Sequence, residues 1–520
     1  MNTSVRHLPY VLAFLTGWIR VGAEDRGVAV QILCINDFHG SILQTGALSN
    51  RPVGGAANLA AWLKDRRRSN PRTLLVHAGD MVGASQPISG LFQDEPTIEF
   101  LNSLGFDAGV PGNHEFDQGL DELIRLQRGG VHQAAGRFRG SSFPLVLANV
   151  VYRKTKNPIF PAYVIRVVEG IPIAFIGVVT RESLPILSAP GIRDLEFLDP
   201  AVCINGVVPE LRKKGVETLV LLAHEGGTFD RKTGRIKGSI AEMAKKVNNA
   251  VDVILSGHSH TLLNGLVDGK LIVQAYSHGA AFVGVDLTIS KTTRDVVSKK
   301  AEIVTVWAGQ KKPDPETMDL IAPLTRKVQP ILEKAVCRSA AEISKTQNDA
   351  GESALGDLIA DAQRWAAKTQ IAFMNSGGIR RSLPSGTITW GILYEAQPFG
   401  NRVLQFRMTG GQIHRLLNQQ WRANRFLHVS GIRYSWSDRR PDGNKILRIA
   451  LNNGTPIRTT GIYTVAANEV LASGSGRFSI FREISDKKAV KRDLDALVEY
   501  LKTMKQPVFF RTDGRVRRIR

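Results

Sequence analysis

Pro111-Gly112-Asn113-His114-Glu115-Phe116-Asp117 sets an amide oxygen, an imidazole and a carboxylate within five residues. Gly112 ahead of them lets the backbone turn tightly and come close to a ligand. Asn113 offers a hard metal ion a neutral carbonyl oxygen, which leaves His114 free to move protons. Asp117 follows three residues later, within reach of that imidazole on a single turn, so it can hold one tautomer in place.

Outward from this stretch the chain repeats one theme, an apolar strand-like run that ends in ligand-type residues. Residues 28–35 lead into Asn36-Asp37-Phe38-His39, 73–77 into Gly79-Asp80, and 106–110 into the opening stretch. Further on, 218–223 lead into His224-Glu225 and 251–255 into Gly257-His258-Ser259-His260. Helical patterns over 55–68 (Leu59, Trp62 and Leu63 on one face) and 97–104 lie between. Continuous apolar strands alternating with helices indicate α/β layering, in which ligands gather at the carboxyl ends of the strands. Residues distant in sequence are therefore expected along one sheet edge. Strands over 288–308 complete this unit.

Asp314, followed by Pro315, reads as the N-cap of a helix running to about Lys334, with Pro323 and Pro330 expected to bend or interrupt it. Beyond it, a helix over 353–368, a strand over 371–374, a helix over 409–420 and a strand over 462–467 indicate a second domain.

With 520 residues, 43% of them hydrophobic, the chain can bury more than one core. At the N-terminus, Arg6 and His7 precede an apolar run over 8–19, and Val21-Gly22-Ala23 supplies small residues for cleavage. This pattern predicts a signal peptide and an exported chain, in the periplasm or cell envelope or secreted; no later run is long enough to span a membrane. Cys34, Cys203 and Cys337 are too few and scattered for a disulfide framework, and buried thiols are expected. The formal net charge is +21, and loss of residues 1–23 leaves +19. That balance favours anionic partners. The basic residues do not alternate with aromatics, so no specific nucleic-acid partner is expected.

Pooling the strand ends gives Asp37, His39, Asp80, Asn113, His224, His258 and His260. Seven such ligands exceed the needs of one ion and suit two divalent cations with a bridging carboxylate. The mix of imidazole, carboxylate and amide points to Mn, Zn, Co, Fe or Ni rather than Ca or Mg. His7, His77, His132, His278, His414 and His428 are read as structural, and Glu115 as a local cap or pairing group.

The segments Asp37-Phe38-His39, Gly79-Asp80, Gly112-Asn113-His114-Glu115, His224 and Gly257-His258-Ser259-His260 resemble the ordered signature of calcineurin-like metallophosphoesterases. With residues 375–380 and Gln397-Pro398-Phe399-Gly400-Asn401, the chain resembles the bacterial 5′-nucleotidase family over residues 28–505. The resemblance implies an α/β fold with an N-terminal layered β-sandwich metallophosphoesterase domain flanked by helices. A second α/β (α+β) domain would bind substrate. The expected division is a signal peptide over 1–23, the catalytic domain over 24–311, a linker helix over 312–335 and the C-terminal domain over 336–520. Carried over by position, Asp37, His39 and His260 would hold one metal. Asn113, His224 and His258 would hold the other, with Asp80 bridging. Some family members have glutamine in place of His260. A hydroxide activated by the metals would attack phosphorus in line, with His114 stabilising the transition state or protonating the leaving oxygen and Asp117 steadying it.

For substrate, the resemblance implies Asn375, Gly378 and Arg380 on the ribose and phosphate side, and Phe399 as one wall of a base clamp. The family usually closes that clamp with Asn-Phe-x-x-x-Gly-Gly-Asp-Gly-Phe. Residues 468–478 here lack its aspartate and first aromatic, leaving Phe478 as the candidate second wall. Altered nucleobase recognition is the expectation, with Arg477 favouring extra negative charge. The implied activity is hydrolysis of nucleotides by an exported phosphoesterase. Alternatives on the same fold are a 2′,3′-cyclic phosphodiesterase, a UDP-sugar or dinucleotide pyrophosphatase, a non-nucleotide esterase including thiosulfate-ester hydrolases, and a binding protein that has lost catalysis.

Overall fold

The computed structural model describes residues 27–44, 46–133, 135–181, 192–474 and 477–520. The signal-peptide reading of residues 1–23 lies outside the described residues. The N-terminal half is built on two sheets. In the five-stranded sheet the order is Val296–Thr305, Ala281–Ile289, Val28–Ile35, Thr73–His77, Ala108–Gly109. In the six-stranded sheet it is Leu262–Val267, Lys270–Ala275, Val253–Ser256, Thr218–His224, Ile171–Val179, Tyr163–Val168.

The two sheets face each other because side chains alternate along a strand. Ile173, Phe175, Val220, Leu222, Val253 and Leu255 point into the core shared with Ile32, Leu75 and Val283 of the first sheet. Their neighbours Ala174, Ile176, Val178, Leu221 and Ile254 point the other way. There they pack beneath the helices Pro200–Lys213 and Ser239–Lys246. Burial on both faces is what the continuous apolar runs demanded. The helix Ala56–Ser69 covers the outside of the first sheet through Leu59 and Leu63.

Parallel pairing decides where the site forms. Ile35 is in register with His77, and His77 with Gly109; in the other sheet Val179 aligns with His224, and Ala223 with Ser256. The carboxyl ends of these strands thus end level, side by side.

The helix Pro315–Leu332 starts as the sequence predicts, with the Asp314 side chain accepting from Thr317 N and Pro315 in the first turn. The expected interruption at Pro323 and Pro330 does not occur. Both prolines lie on the exposed side, and the carbonyls they free, those of Asp319 and Arg326, belong to exposed residues. Water can satisfy those carbonyls, so the helix continues. Ile321 and Val328 anchor it to the first domain's core.

In the second domain a five-stranded sheet runs in the order Leu427–Ser430, Ile371–Asn375, Ile462–Asn468, Arg402–Thr409, Lys488–Arg492. Flanking it are the helices Ala354–Ala367, Gly410–Ala423 and Asp493–Thr503. Thr409 and Gln412 form a reciprocal capping box at the start of the second of these. All three cysteines are free; Cys34 and Cys337 are buried, but Cys203 is half-buried, contrary to the expectation of three buried thiols. It lies on the helix Pro200–Lys213, between inward Ala201 and Ile204. No helix among the described residues is long and apolar enough to cross a membrane.

Candidate active site

The loops that leave the level strand ends bring all seven candidate ligands together. One oxygen or nitrogen from each of Asp37, His39 and His260 lies within 4.8 Å of the others, and the same holds for Asp80, His224 and His258. Asn113 joins the second group, its Oδ1 lying 3.1 Å from His224 Nε2 and 2.9 Å from His258 Nδ1. Asp80 spans both groups, with Oδ2 at 3.1 Å from His224 Nε2 and 3.8 Å from His39 Nε2. His39 and His260 oppose each other at 3.2 Å between Nε2 atoms, and His260 Nε2 is 3.4 Å from Asp37 Oδ1.

The surrounding backbone orients these donors. His39 Nδ1–H donates to Gly83 O (2.8 Å) and His224 Nδ1–H to Ala78 O (2.9 Å), so each Nε2 faces the centre. Asn36 Nδ2 donates to Asp37 Oδ2, and His258 N donates to the same carboxylate. Five of the seven candidates, Asp37, His39, Asp80, His258 and His260, have φ between 49° and 77°. Such left-handed non-glycine residues cost free energy and cluster at functional sites. Gly112 is required by close approach, since a Cβ there would lie 2.1 Å from Asp80 Oδ1.

Glu115 does more than cap locally. Its carboxylate accepts from Gly112 N (2.6 Å), Asp80 N (3.0 Å) and Met81 N (2.7 Å), lacing two ligand loops together. Burial and the nearby Asp80 charge push its pKa up to about 7. His114 Nδ1 lies 2.7 Å from Asp117 Oδ2, the pairing expected from their spacing. Burial alone would depress the His114 pKa, but Asp117 and Asp80 lift it to about 9. His224 is lifted to about 10 against its burial, chiefly by Asp80. Burial and His224 lower His258 to about 4, and burial with the surrounding imidazoles holds His39 well below its usual value. Dense imidazoles on buried carboxylates make a donor set that fits borderline divalent cations.

His278 corrects the structural reading of that residue. Its ring centroid lies 5.3 Å from that of His39 and 5.6 Å from that of His260, and Nδ1 contacts Ser41 Oγ at 3.1 Å. It follows the apolar strand Lys270–Ala275, so the strand-end rule that found the other histidines reaches it too. His77 stays structural, buried against Phe106 and Phe143.

A cleft of about 1550 Å³ opens above the centre, walled by both domains. His39, Asp80, Asn113 and His260 line its floor, while Asn375, Gly378, Arg380 and Phe399 line the facing wall. Asn375 Oδ1 accepts from Asn468 Nδ2 (2.7 Å), which fixes the amide. The Phe399 ring stacks on His114 at 5.6 Å and 17°, and the Arg380 guanidinium lies 5.9 Å from the same ring. Phe478 reaches the lining of the same cleft, but it is 1% exposed and most of its ring packs into the second domain's core. Asn468 caps the short helix Glu469–Ala472, which places Leu471 in that core alongside Phe478.

Residues 30–262 match the family model for calcineurin-like phosphoesterases, and 331–483 match the 5′-nucleotidase C-terminal domain. The chain is 38% identical over 510 residues to Endonuclease YhcR of Bacillus subtilis, covering 96% of this chain but 42% of that protein. It is 35% identical over 542 residues to the cell wall protein Lmo0130 of Listeria monocytogenes, covering 94% of this chain and 69% of the relative. Among solved structures, a 5′-nucleotidase precursor from Thermus thermophilus superposes with a TM-score of 0.78. It is 27% identical, with 95% of this chain and 99% of that one covered.

Proposed function

This chain belongs to the 5′-nucleotidase family of calcineurin-like phosphoesterases and is a phosphate-ester hydrolase, and from that premise we propose that it hydrolyses nucleotides outside the cytoplasm at a centre for two divalent cations. The observation that carries this is the convergence of seven donors into two groups joined by Asp80, under a cleft walled by Asn375, Gly378, Arg380 and Phe399. Asp37, His39 and His260 would hold one ion, and Asn113, His224 and His258 the other. When bound, the pair supplies Lewis acidity toward water and the phosphoryl oxygens. His114, cationic beside Asp117, would donate to the leaving oxygen; Asp117 holds its Nδ1 and so points Nε2 away from that partner. Arg380, with its planar fork of donors, would grip the phosphoryl group. Phe399 would stack against one face of the base. Export is proposed from the N-terminal pattern of residues 6–23, in keeping with the cell wall relative.

A second reading, cleavage of a phosphodiester in a longer chain, is favoured by one feature of the cleft. Arg402, Arg425, Arg477 and Arg492 line it, and none of their guanidinium groups forms an ion pair among the described residues. Unpaired arginines along a groove suit a run of phosphates, and one relative is named an endonuclease.

Metal-stripped protein reconstituted with Mn, Co or Zn separates these readings. The substrates are AMP, UDP-glucose, a 2′,3′-cyclic nucleotide, bis-p-nitrophenyl phosphate and a short single-stranded oligonucleotide. Metal-dependent turnover with the highest kcat/KM on AMP is expected. A higher value on the oligonucleotide, falling steeply with salt, would establish the second reading. No turnover with any metal would overturn both.

A further inference from the structure

The His39 ring is flanked by two imidazoles that belong to neither group of donors. His114 lies on one side at 5.1 Å between ring centroids and His278 on another at 5.3 Å. His114 has a role above; His278 has none. It is exposed, and it lines the cleft. Its backbone is firmly held. The φ of 56° is a left-handed value, which a non-glycine residue keeps only where its surroundings impose it. Its N–H donates to Asp37 O at 2.7 Å, which ties it to a ligand loop. On the other side Gly54 packs so closely that a Cβ there would lie 2.8 Å from His278 O.

The ring is held as well, at one nitrogen. Nδ1 lies 3.1 Å from Oγ of buried Ser41, whose hydroxyl makes no other hydrogen bond among the described residues. If that hydroxyl gives its proton to Nδ1, the ring carries its own proton on Nε2. Nε2 makes no hydrogen bond among the described residues. The Phe38 carbonyl, which accepts from Ser41 N at 3.1 Å, also lies near the ring. Arg380, on the facing wall, is near enough for its charge to act on both His278 and His114. His114, Arg380 and His278 thus stand around the mouth of the ion centre, and all three line the cleft.

We propose that His278 is a substrate-binding residue of this site, its Nε2–H donating to a phosphoryl oxygen at the His39 and His260 end while Arg380 grips the same group from the other domain. The inference rests on the phosphoesterase reading and adds a protein donor to it. A phosphoryl group has oxygens enough for the ions, for a guanidinium fork and for one imidazole N–H. Ser41 is then a positioning residue, because its hydroxyl selects the tautomer that puts the proton on Nε2. The opposite tautomer, with Nδ1–H given to the Phe38 carbonyl, would turn a lone pair toward the cleft. His278 would then serve as a further metal ligand and not as a phosphate donor.

The test uses full-length protein loaded with manganese. Equilibrium binding of inorganic phosphate is measured by calorimetry, beside kcat/KM on the best substrate of the panel and manganese affinity. His278→Leu should weaken phosphate binding and lower kcat/KM by about 10–100-fold each, the range for one hydrogen bond to a charged group, with manganese affinity unchanged. His278→Gln, whose amide N–H can stand in for Nε2–H, should recover part of both losses. Ser41→Ala should move both in the same direction by less, since the ring remains. Wild-type phosphate affinity in His278→Leu would overturn the proposal. Loss of manganese affinity in that variant would overturn it equally, by making His278 a ligand. A wild-type protein that neither binds phosphate nor turns over any substrate fails at the phosphoesterase reading itself, and the proposal falls with it.

Discussion

His114 sits where the two domains meet, with Asp117 on one side of its ring and the Phe399 face on the other. Replacing it touches proton delivery and leaves the seven donors in place. His114→Ala should therefore lower kcat by about 10²–10⁴ while metal content, measured on the purified protein, stays at the wild-type level. Gly112→Ala should do the opposite. The new Cβ would meet Asp80 Oδ1 at 2.1 Å and Asp80 N at 2.5 Å, and Glu115 ties that loop down, so Asp80 has no room to yield. Metal titration of this variant should show loss of tight binding; wild-type affinity would mean that the loop is softer than its hydrogen bonds imply.

Among the elements, the helix Pro315–Leu332 depends most visibly on its first turn. Asp314 Oδ2 accepts from Thr317 N at 3.0 Å, from Thr317 Oγ1 at 2.7 Å and from Lys64 Nζ at 2.8 Å. The cap thus joins the helix to the Ala56–Ser69 helix as well as starting it. Asp314→Ala should cost about 1 kcal/mol through the cap alone and lower Tm by a few degrees; Asp314→Asn should recover part of that. An unchanged Tm would show that core contacts through Ile321 and Val328 suffice. This start was legible from Asp314-Pro315 alone because capping is local chemistry. The helix's passage through two prolines was not, since it depends on which face meets water.

For the whole molecule, stability in mild acid should be limited by buried imidazoles. His428 is 1% exposed, packs against Gly356, and has no partner for Nδ1. Burial lowers its pKa from 6.5 to about 4. Between those values the unfolded chain binds a proton that the native state refuses, so stability falls as pH drops from 6.5 toward 4 and this contribution levels off below. The loss from this residue is about 3 kcal/mol when complete. Urea titrations across that range on His428→Met should show a shallower fall than wild type; parallel curves would remove His428 from the account.

The amino-acid sequence by itself determined the donor chemistry and its placement at strand ends. Apolar runs too continuous for a surface strand must be buried on both faces, and parallel burial sets their carboxyl ends level. That reasoning reached Asp37, His39, Asp80, Asn113, His224, His258 and His260 as a group, because it needs only local pattern. Tertiary packing alone decided which donors meet: His224 against Asp80 and Asn113, His39 against His260, and His278 beside both His39 and His260. It also sent Phe478 into the core and laid Phe399 on His114. Local sequence carries no signal for such meetings, since they follow from how the layers close and not from what any segment prefers on its own.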